Sequence, residues 1–304
     1  MSLVVNTNIA SMNAQRSLMA SGKELQSAME RLSTGKKINS AADDAAGFAI
    51  AENMTAQVRG LSMAAKNAND GLGLLKVVEN ATNDVTDMLQ RIRELAVQAQ
   101  SGTNSDSDID NLQLEANALI DEIGRVSEDT TYNNTAYLGS GASTSINIQV
   151  GYNDGDTITL QTYNVKAENL GVKVADVSGS AGDTVLVALK NADGTYLQID
   201  QTATAADGTT TDRVPGALEV ITTAIDQVAS YKAEWGAGQN RLEYTVSNLM
   251  NVVEFTTAAQ SRIQDADFAV EAARLAKAQV LQQTGTAMLA QANAAPQIAL
   301  QLLK

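Results

Sequence analysis

Histidine and cysteine are both missing from the 304 residues, and each absence removes a class of chemistry. Without cysteine there is no disulfide and no thiol nucleophile. Without histidine there is no Ser-His triad, and zinc and haem lose their usual ligands. Charge changes little between about pH 5 and 8, because histidine is the side chain that ordinarily titrates there. Basic charge is also short: 21 Lys and Arg stand against 35 Asp and Glu, a net charge of −14. That balance argues against nucleic acid and anionic membrane surfaces, which need basic patches to displace counterions. Aromatics make up only 4%, yet 44% of residues are hydrophobic, enough for one large core or two to three smaller ones.

The acidic excess lies in the middle. Residues 1–60 carry six basic and five acidic side chains, and 241–304 carry five of each. Residues 61–240 hold the rest of the imbalance. Neutral ends suit surfaces packed against copies of the same chain, and equally an ordinary weakly charged core segment. The N-terminal MSLVVNTNIASMNAQRSL lacks a basic stretch followed by an apolar one, so no standard cleaved secretory signal is expected. From Ala278 to Leu303 no charge occurs, but seven Gln and Asn side chains and Pro296 argue against membrane insertion.

Apolar spacing carries the strongest signal. Leu74, Val78, Ala81, Val85, Met88, Ile92, Leu95 and Ala99 step by fours and threes, the seam of a helix packed lengthwise on others. At 1.5 Å per residue the seam is on the order of 40 Å long. A turn at Ser101-Gly102-Thr103-Asn104 leads into a second seam, Leu112, Ala116, Leu119, Ile123 and Val126, predicting a helical hairpin. A third seam runs from Leu218 through Ile221, Ile225, Val228, Trp235, Leu242, Val246 and Leu249 to Val253. Lys232 and Gln239 stand at seam positions with Gly236 and Gly238 nearby, which predicts a bend or relaxed seam there, and Pro215 fits the first turn.

The two ends carry narrower stripes. Leu18, Leu25 and Leu32 recur every seven residues, as do Leu281, Met288, Ala295 and Leu302. Ala-rich faces this thin bury too little area to offset backbone ordering, so these helices need partners, unless they are simply frayed ends. Between the helices the period falls to two. SINIQV (145–150), DTITLQT (156–162), TVLVALK (184–190) and TYLQID (195–200) read as strands, with hairpin turns at Asn153-Asp154-Gly155 and Asp193-Gly194.

Site motifs are weak. Asp106, Asp108 and Asp110 alternate like a calcium loop, but Asn111 and Asn117 stand where that loop needs glycine and a bidentate Glu; acidic residues at a helix start explain them better. Ser40 with Asp43 reads as a capping box. Gly71-Leu72-Gly73 lacks the remainder of a phosphate loop. Nothing in the sequence points to a catalytic residue, a metal or a cofactor.

Longer segments are more telling. NTNIASMNAQRSL, RLSTGKKINSAADDAAGFAIAENM, NANDGLGLLKVVENA, LQRIRELAVQAQSGTNSDSD, SRIQDADFAVE and QQTGTAMLAQANAAPQIALQLL resemble bacterial flagellin, over roughly residues 1–140 and 215–304. The resemblance implies a mainly α fold, with long coiled-coil-like helices from both termini packed as an elongated rod and a small β-rich insertion in the middle. It implies three domains: terminal helices (1–43 with 268–304) forming an inner polymer core, a helical rod (44–140 with 212–267), and a variable outward-facing β-rich part (141–211). The function implied is that of a non-enzymatic subunit polymerising head-to-tail into the extracellular flagellar filament for swimming.

The polymerisation core would use Leu18, Leu25, Leu32, Leu281, Met288, Ala295 and Leu302. Implied partners are further copies of the chain, the flagellar type III export apparatus that passes it unfolded, an export chaperone, and the cap and hook-junction proteins. A vertebrate Toll-like receptor is implied as well, contacting Arg91, Leu95 and Glu115. A hook–filament junction protein shares the terminal patterns, and a soluble secreted coiled-coil binding module is the alternative from another class.

Overall fold

In a computed structural model, the structure describes residues 8–139, 145–175, 184–191, 194–200, 204–205, 213–214 and 216–301. For 172–175, 184–187, 204–205, 213–214 and 295–301 it describes the backbone alone. Five helices account for most of it: α1 (Ile9–Thr34), α2 (Ala45–Ala99), α3 (Asp106–Asp129), α4 (Ala217–Gln264) and α5 (Phe268–Gln301). Between α3 and α4 lie β1 (Thr131–Tyr132), β2 (Thr135–Ala136), β3 (Ser145–Gln149), β4 (Thr157–Gln161), β5 (Gly171–Ala175), β6 (Thr184–Ala188), β7 (Thr204–Ala205) and β8 (Arg213–Val214). They pair in sequence as four antiparallel two-stranded ribbons. The chain forms two compact units, Met1–Arg59 with Asn251–Lys304, and Gly60–Met250; α2 and α4 contribute to both.

In the second unit the α2 seam packs as its spacing predicts. Leu74, Val78, Val85, Ile92, Leu95 and Ala99 are buried in one continuous core, joined by Leu75, Leu89 and Ala96, which widen the stripe. On α3 the buried residues are Ala116, Ile120, Ile123 and Ser127, whereas Leu119 is only partly covered. The α3 start is a capping box in which Ser105 and Asp108 satisfy each other's backbone N–H, so Asp106 and Asp108 belong to a helix N-terminus.

Helix α4 is unbroken through its polar seam positions. Lys232 Nζ donates to Asn83 Oδ1 at 2.6 Å and Gln239 Nε2 to Glu79 Oε2 at 2.8 Å, so both polar groups are satisfied by α2. Gly71 and Gly238 sit inside helices for a packing reason. A Cβ on Gly71 would lie 3.3 Å from Ile148 Cγ1 and from Leu242 Cδ1, and one on Gly238 would lie 3.3 Å from Leu160 Cδ2. The missing side chains let the β3–β4 ribbon settle on the helices, where Ile158 and Leu160 alternate inward along β4.

Two sequence expectations are corrected, and one turn is added. TYLQID forms no strand; β6 pairs instead with β5, whose GVKVA did not stand out by period. The 195–200 segment makes a single bridge, Tyr196 to Lys190, and gives its backbone to a side chain. Gln113 on α3 donates to Leu197 O and accepts from Ile199 N–H, so one amide replaces the neighbouring strand. The β1–β2 turn was not anticipated either. Asn133 and Asn134 take φ of 49° and 64°, the left-handed pair that asparagine tolerates in a two-residue hairpin. Finally, Ser40 does not cap α2. Asp44 does, accepting from Gly47 N–H at 3.0 Å, while the Asp43 carboxylate closes the preceding turn on Asn39 and Ser40 N–H. Pro215 lies outside the described residues.

Candidate assembly surface

In the first unit α1 and α5 run antiparallel along one another. Asn8 caps α1 by accepting from Ser11 N–H, and its amide also donates to Ala292 O at 2.7 Å. At the opposite end Glu271, its side chain only 5% exposed, accepts from Arg274 at 2.9 Å and Arg31 at 3.4 Å. The helix breaks at this end are tied together: Lys37 N–H donates to Gln264 O and Ala266 N–H to Gly35 O. Gly35 ends α1 at a φ of 72°, a left-handed cap that favours glycine. Asp43 is held below the usual carboxylate range, first by the backbone N–H groups of Ser40 and Asn39, with Arg31 a smaller contribution.

The seam between the helices is made of small groups. Ser21 and Ala28 of α1 and Ala278 of α5 are buried, and Gly285 leaves room for Leu18, whose Cδ1 would meet an added Cβ at 3.3 Å. Leu18, Leu25 and Leu32 are half-buried. On α5 the inward positions are Leu275, Ala278, Gly285, Leu289 and Ala292. The sequence stripe of Leu281 and Met288 falls beside that seam instead, with these side chains 41% and 65% exposed. Both line an open groove of about 570 Å³ between the helices, together with Ala10, Ala14, Ser17 and Gly285. Ala295 lies on the α5 backbone with its side chain undescribed, and Leu302 is outside the described residues. Met12, Met19 and Met29 add exposed apolar surface on α1.

In the second unit, Arg91 and Glu115 meet between α2 and α3. The Arg91 guanidinium reaches Glu115 Oε1 at 2.8 Å and Glu94 Oε2 at 3.1 Å; the Arg91 and Glu115 side chains are 50% and 45% exposed. Hydrogen bonds to Glu115 first and then Glu94 push the Arg91 pKa up from its ordinary value. Leu95 is not with them on the surface: at 1% exposure it is part of the core.

Two family models match the chain, the bacterial flagellin N-terminal helical region over residues 5–144 and the bacterial flagellin C-terminal helical region over residues 218–303. The chain belongs to the bacterial flagellin family. It is 41% identical to the flagellin of Xenorhabdus nematophila over the whole of both chains. It is 40% identical to that of Bacillus subtilis (strain 168), over 99% of each. Among solved structures, the crystal structure of Bacillus cereus flagellin aligns with 60% of this chain and 88% of that one, at 25% identity and a TM-score of 0.44. As a member of the flagellin family the chain is a structural subunit of the extracellular flagellar filament that drives motility.

The flagellin family matches flank the insertion and leave residues 145–217 outside both models. Among the described residues no helix is long and apolar enough to cross a membrane, and no three acidic side chains are placed to hold a metal. The sequence stripe passed over Ala278, Gly285 and Ala292 because alanine and glycine carry little hydropathy, although Leu275 and Leu289 lie on the same inward face. What chooses between adjacent helical faces is the size of the groups that must pass between α1 and α5.

Proposed function

We propose that α1 and α5 form the inner assembly element of the filament, with Leu18, Leu25, Leu32, Leu281, Met288, Ala295 and Leu302 as its polymerisation core. The observation that carries this reading is the groove beside Gly285, where Leu281 and Met288 remain exposed although α1 and α5 already pack together. A second copy laid along that groove removes this apolar area from water, and because α5 is uncharged from Ala278 onward, Glu24 of α1 is the one charged side chain in the lining. The contact is head-to-tail and heterologous, the kind that propagates as a helix instead of closing. Residues 44–140 with 212–267 then form the surrounding helical layer, and 141–211 face outward. The narrow α1–α5 seam gains full order only on assembly, so folding of the ends and binding are one event.

Passage through an export channel as an unfolded chain suits a sequence that cannot form a disulfide, with the export apparatus, a chaperone, and the cap and hook-junction proteins as successive partners. The exposed Arg91–Glu115 pair is the receptor-facing element for a vertebrate Toll-like receptor; Leu95 contributes by holding α2 in place beneath it.

Seeded sedimentation tests the assembly reading. Purified chain mixed with filament fragments is expected to pellet, whereas Leu281→Asp with Met288→Asp is expected to stay in the supernatant while keeping its helical circular dichroism. Normal pelleting of the double variant would overturn the assignment.

A further inference from the structure

An aromatic cluster on the second unit plays no part in the assembly reading. Tyr163 follows β4 and Tyr231 lies on α4; their rings stack with centroids 4.0 Å apart and planes 5° from parallel. Trp235, one turn beyond Tyr231, stands 6.1 Å and 6.3 Å from the two rings. Its indole N–H donates to Gln161 O at 2.9 Å, which fixes the indole against the end of β4. The Tyr163 hydroxyl donates to the Glu234 carboxylate. Both tyrosines are half-buried, whereas Tyr152 and Tyr244 are 53% and 80% exposed.

Each feature has a chemical consequence. A phenol gives up an electron readily only if its proton can leave at the same time, and Glu234 is a general base already seated on that proton. The hydrogen bond and the nearby negative charge hold Tyr163 protonated, with its pKa raised to about 12, so the proton is present when the electron goes. A second phenol stacked in van der Waals contact is a coupling partner at very high effective concentration. Trp235 is a third oxidisable ring close enough to pass an electron vacancy to either tyrosine.

We propose that Tyr163 and Tyr231 are a site of oxidative cross-linking, where hydrogen peroxide acting through a haem peroxidase joins the two rings carbon to carbon. Each phenol loses one electron to the peroxidase; the Tyr163 proton goes to Glu234 and the Tyr231 proton to water. The two phenoxyl radicals form one bond between carbons ortho to the oxygens, and the two displaced ring hydrogens move to the oxygens, restoring two phenols. The two electrons and two protons reduce one peroxide to two waters. The product closes a loop of about 70 residues and staples the end of β4 to α4, a covalent constraint in a chain that lacks cysteine. The filament is extracellular, so an oxidant from outside the cell can reach it.

Peptide mapping tests this on the full chain, treated at high dilution with a haem peroxidase and peroxide. Tryptic peptides 126–166 and 214–232 are expected joined, two hydrogens lighter than their sum, with the link at Tyr163 and Tyr231 and the product still monomeric. Tyr231→Phe keeps a stacked ring and is expected to abolish that link. Glu234→Gln is expected to slow its formation several-fold, with the rate rising toward alkaline pH. Links made chiefly through Tyr152 or Tyr244, links between chains, or an undiminished rate in Glu234→Gln would each overturn the proposal.

Discussion

Arg91 and Leu95 stand one turn apart on α2, and substituting them should have opposite consequences. Arg91 is half exposed and its ion pairs face water, where such pairs contribute little to stability. Arg91→Ala is therefore expected to leave the melting temperature nearly unchanged while lowering receptor-dependent signalling in a reporter-cell assay. A parallel fall in both would mark the residue as structural. Leu95→Ala opens a cavity in the core and is expected to cost about 2–5 kcal/mol, read by urea denaturation. Gly238→Val puts branched carbon where Leu160 and Leu75 already lie, 3.3 Å and 3.5 Å from an added Cβ, and should cost about 1–3 kcal/mol. The burial of Leu95 was legible from its heptad position. The role of Gly238 was not, because a glycine in a helix looks like a weak point until the strand that presses on it is known.

Among elements, the segment after β6 shows how a side chain can decide a strand. Lys190 Nζ bonds Asp121 Oδ1 at 2.8 Å, the Tyr196 hydroxyl donates to Asp121 Oδ2 at 2.7 Å, and the ammonium sits 4.6 Å from the Tyr196 ring centre. With Gln113 these groups dock residues 195–200 on α3. Asp121 is held below its ordinary pKa, first by Lys190 and then by Tyr196. A carboxyl lowered in the folded state stabilises above its unfolded pKa, near 3.8, and that contribution is lost as pH falls through the lowered value. Part of the fall in melting temperature below about pH 4 is thus expected to disappear in Asp121→Asn, as thermal scans across pH would show. Alternation in TYLQID reported correctly that Leu197 and Ile199 face inward, since both are buried. It was silent on the partner, because a helix side chain with an amide satisfies the same backbone groups as a strand.

At the scale of the whole chain, stability is divided unevenly. The continuous core lies within residues 68–246, while the α1–α5 seam buries little besides Ser21, Ala28, Ala278 and the Glu271 ion pairs. Arg31 Nε is buried there with no hydrogen-bond partner, a further cost to the pair. Hydrogen exchange on the dilute monomer is therefore expected to be fast throughout α1 and α5 and slow around Leu89 and Ile92 of α2. Uniformly slow exchange to both ends would contradict the coupling of terminal folding to assembly. A chain cut to residues 44–267 is expected to keep the main melting transition and to lose the capacity to pellet on seeds.

By itself the sequence determined which stretches are helices, where the hairpin turn at Asn153-Asp154-Gly155 falls, and which family the chain resembles. These depend on local periodicity and on residues that act within a few positions of one another. Tertiary structure alone decided that β6 pairs with β5, that Gly71 and Gly238 are seats for the β3–β4 ribbon, and that α5 turns Ala278 and Gly285 inward while Leu281 and Met288 stay exposed. Each of those outcomes is a competition between surfaces distant in sequence. It is settled by the volume left between them and by which backbone groups find partners, and neither quantity exists until the chain has folded.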